Sequence, residues 1–126
     1  MKDFPPGFRD GVRRFNAGQY FEAHEAFEEA LDEVENDARW DLLLALVQVA
    51  VGYHKCAHRH PGGARMLGLG AAKLAAFPPD AWGVDVDALR RRLADDLAVL
   101  ARDGSLGTSL AASPPRIVPT TLRERV

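Results

Sequence analysis

The sequence contains little cysteine and no long apolar run. A single cysteine, Cys56, excludes a disulfide framework within the chain and fits a reducing compartment. The start, MKDFPPGFRD, lacks the apolar stretch of a signal peptide, and the longest uncharged apolar run, Leu42 to Tyr53, is too short to cross a bilayer. We therefore predict a cytoplasmic protein without a membrane-spanning segment.

The sequence also lacks an excess of positively charged residues. The net charge of −2 gives no general field that would attract nucleic acid or an anionic membrane. Arginines are scattered except at Arg90 to Arg92, and that run covers nearly a full helical turn, so its charge spreads around the helix. A solvated face is the favoured interpretation of the run, and nucleic acid is not an expected partner.

The chain does contain apolar patterns with a helical period. Its 126 residues are enough for one domain with its own core. The patterns predict helices at Pro6 to Asn16, Gln19 to Val34, Ala38 to His58, Ala64 to Phe77 and Val84 to Gly104. We expect an all-α, single-domain bundle of four to five helices over residues 1–104, followed by an extended or disordered tail over residues 105–126.

The second and third predicted helices are joined by only two or three residues. Such a short turn forces an antiparallel helical hairpin, which we expect to be the centre of the bundle. Residue numbers at equal height should then add up to about 73. This register places Glu25 level with Gln48, Glu28 level with Ala45, and His54 beside Gln19.

The second helix carries the candidate site. His24 lies at the edge of its apolar stripe, and Glu28, four residues on, lies on the same seam between core and solvent, with Glu25 beside it. Gln48 is the strongly polar side chain inside the apolar run, and leaving its amide buried and unpaired would cost about 1–3 kcal/mol. Two interpretations remain open: a polar lattice that fixes helix register, or a pocket that binds a ligand or metal ion.

These residues also carry a resemblance to a known family. FNAGQYFEAHEAFEEAL at Phe15 to Leu31, with LVQVAVGYHKCAHRHPGGARML at Leu46 to Leu67, resembles the family catalogued as domain of unknown function 309. The matching positions are Asn16, Gly18, Tyr20, Phe21, Glu22, Ala23, His24, Glu25, Glu28, Gln48, Gly63 and Ala64. The chain departs from the family where Ala30 and Leu31 replace a usual tryptophan, and where Pro61 or Gly62 replaces an asparagine. The resemblance implies a small helical bundle and no activity.

Two functions of different classes fit the candidate site. The first is a non-catalytic binding or interaction module whose pocket is lined by His24, Glu25, Glu28 and Gln48. The alternative is a metal-dependent hydrolase, in which His24 and Glu28 hold a divalent ion, Glu25 is the general base and Gln48 orients water or substrate. No sequence feature identifies a small-molecule ligand. The motifs of a metalloprotease helix and of a di-iron bundle are absent.

A second group of metal-ligand residue types lies near the end of the third helix. His54 and His58 are four apart, with Cys56 and His60 nearby. Histidines also favour the negative end of a helix dipole, and this is the preferred explanation of the pair. Cys56 has no neighbouring base in the sequence that would activate a nucleophile, so we interpret it as a small buried hydrophobic residue.

The predicted bundle leaves several large apolar side chains without an obvious cover. They are Phe4, Phe8, Trp40 and Trp82. Exposed patches of this kind usually mark an interface, and a two-fold dimer is the commonest way to bury one. We therefore predict a homodimer at micromolar concentration.

Overall fold

Six α-helices account for most of residues 6–34 and 38–120, the parts of the chain that the computed structural model describes. In chain order they are α1 (Pro6–Asn16), α2 (Tyr20–Glu33), α3 (Arg39–Ala57), α4 (Gly63–Leu74), α5 (Val86–Asp103) and α6 (Ser109–Ala112). A 3₁₀ turn, Ala81–Gly83, lies between α4 and α5. The all-α bundle predicted from the sequence is confirmed, and the short α6 is an addition to it.

Helix α3 is the centre of the bundle and packs most extensively against α4 and α2. Its long apolar run is buried because neighbouring helices cover it on more than one side. Tyr20 of α2 and Tyr53 of α3 lie at the same height, with ring centroids 5.6 Å apart, as the predicted antiparallel register requires. Across the described ranges, no helix is both long enough and apolar enough to cross a membrane.

Glycines allow α3 and α4 to approach closely. A Cβ on Gly52 would lie 2.6 Å from Leu67 Cδ2, and a Cβ on Gly70 would lie 2.6 Å from Val49 Cγ2. These distances are too short for any side chain without displacement of the neighbour. The glycines that weaken α4 as an isolated helix are therefore part of its packing, and α4 ends at Leu74, three residues before the predicted Phe77.

Helix α5 is capped by an aspartate at its start and by a glycine at its end. The Asp85 side chain accepts a hydrogen bond from the Ala88 amide at 3.0 Å, so Asp85 is the N-cap. Asp87 lies in the first turn and forms an ion pair with Arg91. Gly104 ends the helix in the left-handed conformation with φ +79°.

The segment after α5 packs against the bundle over residues 105–120. Leu106, Leu110 and Ile117 are buried. The Asn16 side chain donates to the Ile117 carbonyl at 2.9 Å and accepts from the Ile117 amide at 2.7 Å, which joins this segment to the end of α1. Residues 109–112 form α6 within the segment predicted as a tail. The boundary between a domain of residues 1–104 and a tail stays a prediction.

Phe8 is not available for the interface patch that the sequence suggested. Its side chain is fully buried in the core, where its ring lies 6.0 Å from that of Phe27. Trp40 and Trp82 are half-buried, and Trp82 packs on Phe77 at 5.8 Å between ring centroids. Phe4 lies outside the described residues. The large hydrophobic side chains that are exposed in the described ranges are Phe21 and Leu69.

Candidate functional site

Helix α2 holds His24 and Glu28 on one face, as their spacing of four residues dictates. His24 Nε2 lies 3.7 Å from Glu28 Oε1, and the side chains are 18% and 55% exposed respectively. An ion pair between them exists when the imidazole is protonated. The structure thus places the two candidate metal ligands side by side at the boundary between core and solvent.

The His24 ring is oriented by the backbone of its own helix. His24 Nδ1 lies 2.6 Å from the Phe21 carbonyl oxygen. A carbonyl oxygen accepts only, so Nδ1 must be the donor, and in the neutral ring the lone pair is then on Nε2. Metal-binding histidines are commonly oriented by this kind of hydrogen bond, with the other ring nitrogen left for the ion. Here that other nitrogen faces Glu28.

Three histidines and one phenylalanine form a continuous surface across α2 and α3. We call Phe21, His24, His54 and His58 the imidazole surface. The Phe21 ring lies between two imidazoles, with centroids 4.8 Å from His24 and 5.4 Å from His54, while the rings of His54 and His58 are 4.4 Å apart. Phe21 is 44% exposed, so this ring presents apolar area to solvent among titratable groups.

The electrostatics of the imidazole surface disfavour protonation at its centre. Partial burial lowers the pKa of His54 below its ordinary value, and repulsion from His58 and His24 lowers it further. The sequence predicted both α2 and the pair His54 and His58, but it placed His54 beside Gln19 and not beside Phe21. The register itself holds, since Tyr20 faces Tyr53, and the Phe21 ring contacts His54 from a position two residues further along α2 than Gln19.

Glu25 and Gln48 are not joined to His24 and Glu28 by hydrogen bonds in the described part of the chain. Glu25 is exposed and lines a shallow cavity of about 570 Å³ together with Glu28, Trp40 and Val47. Gln48 Oε1 is enclosed and has no hydrogen-bond partner. The structure therefore brings together two of the four predicted site residues, places Glu25 on the adjacent outer surface, and leaves the Gln48 carbonyl oxygen unpaired.

The second group of metal-ligand residue types is divided between two surfaces. His58 Nδ1 hydrogen-bonds to the His54 carbonyl at 2.9 Å, whereas His60 Nδ1 accepts from the Gly62 amide at 3.1 Å. Burial raises the pKa of the Cys56 thiol to about 11, which keeps it protonated at neutral pH and unsuited to nucleophilic attack. In residues 6–34 and 38–120, no three His, Cys, Asp or Glu side chains converge on a point that could hold a metal ion.

A buried polar network connects α3, α5 and the C-terminal segment. The Tyr53 hydroxyl donates to Asp96 Oδ2 at 2.5 Å, and Arg92 Nε donates to the same oxygen at 2.8 Å. Arg92 also donates from Nη2 to the Ser113 carbonyl. Sequence reasoning missed this network, although the spacing of Arg92 and Asp96, four residues apart on one helix, was a usable signal. Two of the three arginines at 90–92 are thus paired with carboxylates of their own helix, Arg91 with Asp87 and Arg92 with Asp96.

The fold and these contacts define a small helical-bundle protein with one exposed imidazole surface. Residues 8–67 of the chain match the model of a family described as Domain of unknown function (DUF309), which confirms the resemblance identified from the sequence. The match covers α1, α2, α3 and the start of α4, and therefore includes every candidate site residue. No curated protein matches the chain.

Proposed function

We propose that the protein is a non-catalytic interaction module that binds a second copy of itself through the imidazole surface. The observation that carries the proposal is the exposure of Phe21 between His24 and His54. Complete burial of an exposed phenylalanine side chain contributes about 1.5–3 kcal/mol, so covering the exposed part of Phe21 contributes a fraction of this. A two-fold axis beside Phe21 would cover two such rings at once. We also propose that the protein is cytoplasmic, as the single free cysteine leads us to expect.

The charges around the imidazole surface are suited to a two-fold interface. The outer side of α2 is acidic, with Glu22, Glu25 and Glu28, whereas the adjoining end of α3 carries the basic Lys55. A two-fold axis between these regions places the acidic part of each copy against the basic part of the other. Such self-complementary surfaces favour association and select the correct partner.

Light scattering at tens of micromolar protein tests this proposal. We expect a mass of two chains for the wild type, and dissociation at lower concentration for Phe21→Ala because the apolar contact is lost. Leu69→Ala is the matched control, since Leu69 is the other exposed large hydrophobic side chain in the described ranges and lies on α4. A wild-type mass of 13.8 kDa, or equal weakening by both substitutions, would contradict the proposal.

A divalent metal ion held by His24 and Glu28 is the second candidate. It is favoured by the hydrogen bond from His24 Nδ1 to the Phe21 carbonyl, which leaves Nε2 beside the Glu28 carboxylate. With an ion bound there, Glu25 would be the candidate general base and Gln48 the residue that orients water or substrate, as in the hydrolase predicted from the sequence. Two protein ligands are few for a tight site, so water or substrate would complete the coordination.

Metal analysis of protein purified without an affinity tag and without added metal separates the two candidates. A metal site predicts stoichiometric metal in the wild type and its loss in His24→Ala and in Glu28→Gln, with helix content unchanged. Glu29→Gln is the matched control, because Glu29 neighbours Glu28 but lies on another face of α2. Equal metal content in all four proteins would remove the hydrolase, while leaving the self-association proposal to be decided by light scattering.

A further inference from the structure

A cavity of about 450 Å³ lies at the end of the bundle away from the α2–α3 connection. Its walls come from the α1–α2 turn, from Tyr20, from the end of α3 and from the C-terminal segment. Small-molecule sites in proteins typically have volumes of about 300–1,000 Å³, with mostly apolar walls and a few polar groups. The residues that line it include Gly18, Tyr20, Ala57, Arg59, Leu110 and Pro114.

The first polar group in the cavity is the Tyr20 hydroxyl. Tyr20 is only 6% exposed, and its hydroxyl forms no hydrogen bond with any described residue. In residues 6–34 and 38–120, Gln48 Oε1 is the side-chain polar atom that is both fully enclosed and without a hydrogen-bond partner. The Tyr20 hydroxyl is therefore not fully enclosed, and Tyr20 is one of the residues that line the cavity. A buried tyrosine usually has a hydrogen-bond partner, so this hydroxyl is available to a ligand.

The second polar group is Arg59, which has an unfavourable backbone conformation. Its φ of +56° is in the left-handed region that glycine adopts readily and other residues rarely do. Arg59 lines the cavity, is exposed, and has no ion-pair partner in the described ranges. A non-glycine residue held in this conformation is often retained for what its side chain does.

Helices α3 and α1 end in the same hydrogen-bonded motif, and the two ends lie on opposite walls of the cavity. At the end of α3, the Arg59 amide bonds to the Cys56 carbonyl and the His60 amide bonds to the Lys55 carbonyl. At the end of α1, the amides of Gly18 and Gln19 make the equivalent bonds to Phe15 and Arg14. Both are Schellman motifs, and glycine is the usual residue at this position. The chain has glycine at position 18 and arginine at position 59, so the arginine is not needed for the turn.

We propose that this cavity binds a small carboxylate with an apolar chain. The Arg59 guanidinium pairs with the carboxylate of the ligand, because its planar N–H donors match two carboxylate oxygens. No protein carboxylate in the described residues occupies those donors. Leu110, Pro114 and Ala57 provide apolar contacts for the chain. The Tyr20 hydroxyl donates a hydrogen bond to the ligand. This site is separate from the imidazole surface and does not depend on self-association.

Titration of the full chain with octanoate, followed by calorimetry, tests the proposal. We expect saturable binding of octanoate with one site per chain, and binding of the uncharged octanamide that is weaker by about tenfold or more, because the charge-assisted pair with Arg59 is absent. Arg59→Gly should abolish this preference while preserving the turn, since glycine suits φ +56°. Tyr20→Phe should weaken binding of octanoate by a smaller factor.

Arg90→Ala is the control for loss of an arginine, because Arg90 is exposed on α5 and does not line the cavity. It should bind octanoate as the wild type does. The proposal is overturned if the wild type does not bind octanoate, if octanoate and octanamide bind equally, or if Arg59→Gly retains the preference. An equal loss of octanoate binding in Arg59→Gly and Arg90→Ala would also overturn it, because the effect would then come from the net charge.

Discussion

Tyr20 and Tyr53 lie side by side between α2 and α3, with ring centroids 5.6 Å apart, but only Tyr53 has a hydrogen-bond partner for its hydroxyl. Tyr53 donates to Asp96, which is also held by Arg92, so its hydroxyl belongs to the network that joins α3 to α5. Tyr20 lines the cavity beside Arg59 and has no hydrogen-bond partner for its hydroxyl in the described ranges. Two neighbouring residues of the same type therefore have different roles, which substitution can separate.

Removing the two hydroxyls should have unequal effects on stability. Tyr53→Phe leaves the buried Asp96 carboxylate with one donor fewer, and we expect it to lower the free energy of unfolding by about 1–3 kcal/mol. Tyr20→Phe removes a hydroxyl without a protein partner, so the change should stay within about 0.5 kcal/mol. Urea unfolding of both variants measures the difference, and equal losses would mean that Tyr20 has a structural partner.

Both tyrosines should also make the protein sensitive to high pH. Burial raises the pKa of Tyr20 to about 12, against an attractive effect of Arg92 that lowers it, and burial together with the hydrogen bond to Asp96 raises the pKa of Tyr53. Because the folded pKa lies above the unfolded value of about 10, the folded state holds these protons more tightly. The stabilisation that comes from these two raised pKa values is complete below about pH 10 and is lost as the pH rises towards 12.

Urea unfolding at a series of pH values between 8 and 12 checks this expectation. The free energy of unfolding should fall less steeply for Tyr20→Phe than for the wild type, since one of the titrating groups is gone. Cys56, whose pKa rises to about 11, contributes a loss in the same direction, but it is present in both proteins and cancels in the comparison. Identical slopes would show that Tyr20 titrates normally.

The sequence was sufficient for the helical hairpin because local signals and packing agree there. The apolar run in α3, the stripe of α2 and the short turn between them determine the pairing, and Tyr20 faces Tyr53 as expected. The same reasoning identified His24 and Glu28 as neighbours, since their spacing on one helix sets the distance between them. Predictions within one helix, or across one short turn, depend on few unknown angles.

Contacts between distant segments were not predictable in this way. The bond between Tyr53 and Asp96 joins residues that are 43 positions apart, and the bonds between Asn16 and Ile117 join residues that are 101 apart. Neither pair is marked by a period or a motif, because their proximity depends on how α5 and the following segment pack against the hairpin. The cavity beside Arg59 depends on the same packing, so it could not be inferred from the sequence.

The glycines of α4 offer a matched pair of substitutions. A Cβ on Gly68 would meet no heavy atom within 4 Å, whereas one on Gly70 would lie 2.6 Å from Val49 Cγ2 and 3.1 Å from the Ala45 carbonyl oxygen. Gly68→Ala should raise the free energy of unfolding by about 0.5–1 kcal/mol, because alanine favours the helix. Gly70→Ala should lower it by about 1–3 kcal/mol through overpacking against α3. Urea unfolding of both variants measures these changes, and a gain in both would show that α3 and α4 can separate at little cost.

The ends of α1 and α3 offer a reciprocal test of why an arginine occupies position 59. Gly18 and Arg59 have the same place in the same motif, with φ of +79° and +56°. Arg59→Gly should therefore raise the free energy of unfolding by about 1 kcal/mol, and Gly18→Ala should lower it by about the same amount, since a Cβ is unfavourable in this conformation. No heavy atom lies within 4 Å of the Cβ position on Gly18, so the loss there would come from the backbone and not from a clash. Thermal or urea unfolding of the two variants, without ligand, measures both changes. If Arg59→Gly instead destabilised the chain, the arginine would be retained for its contacts in the fold, and the unfavourable backbone at position 59 would not indicate a binding role.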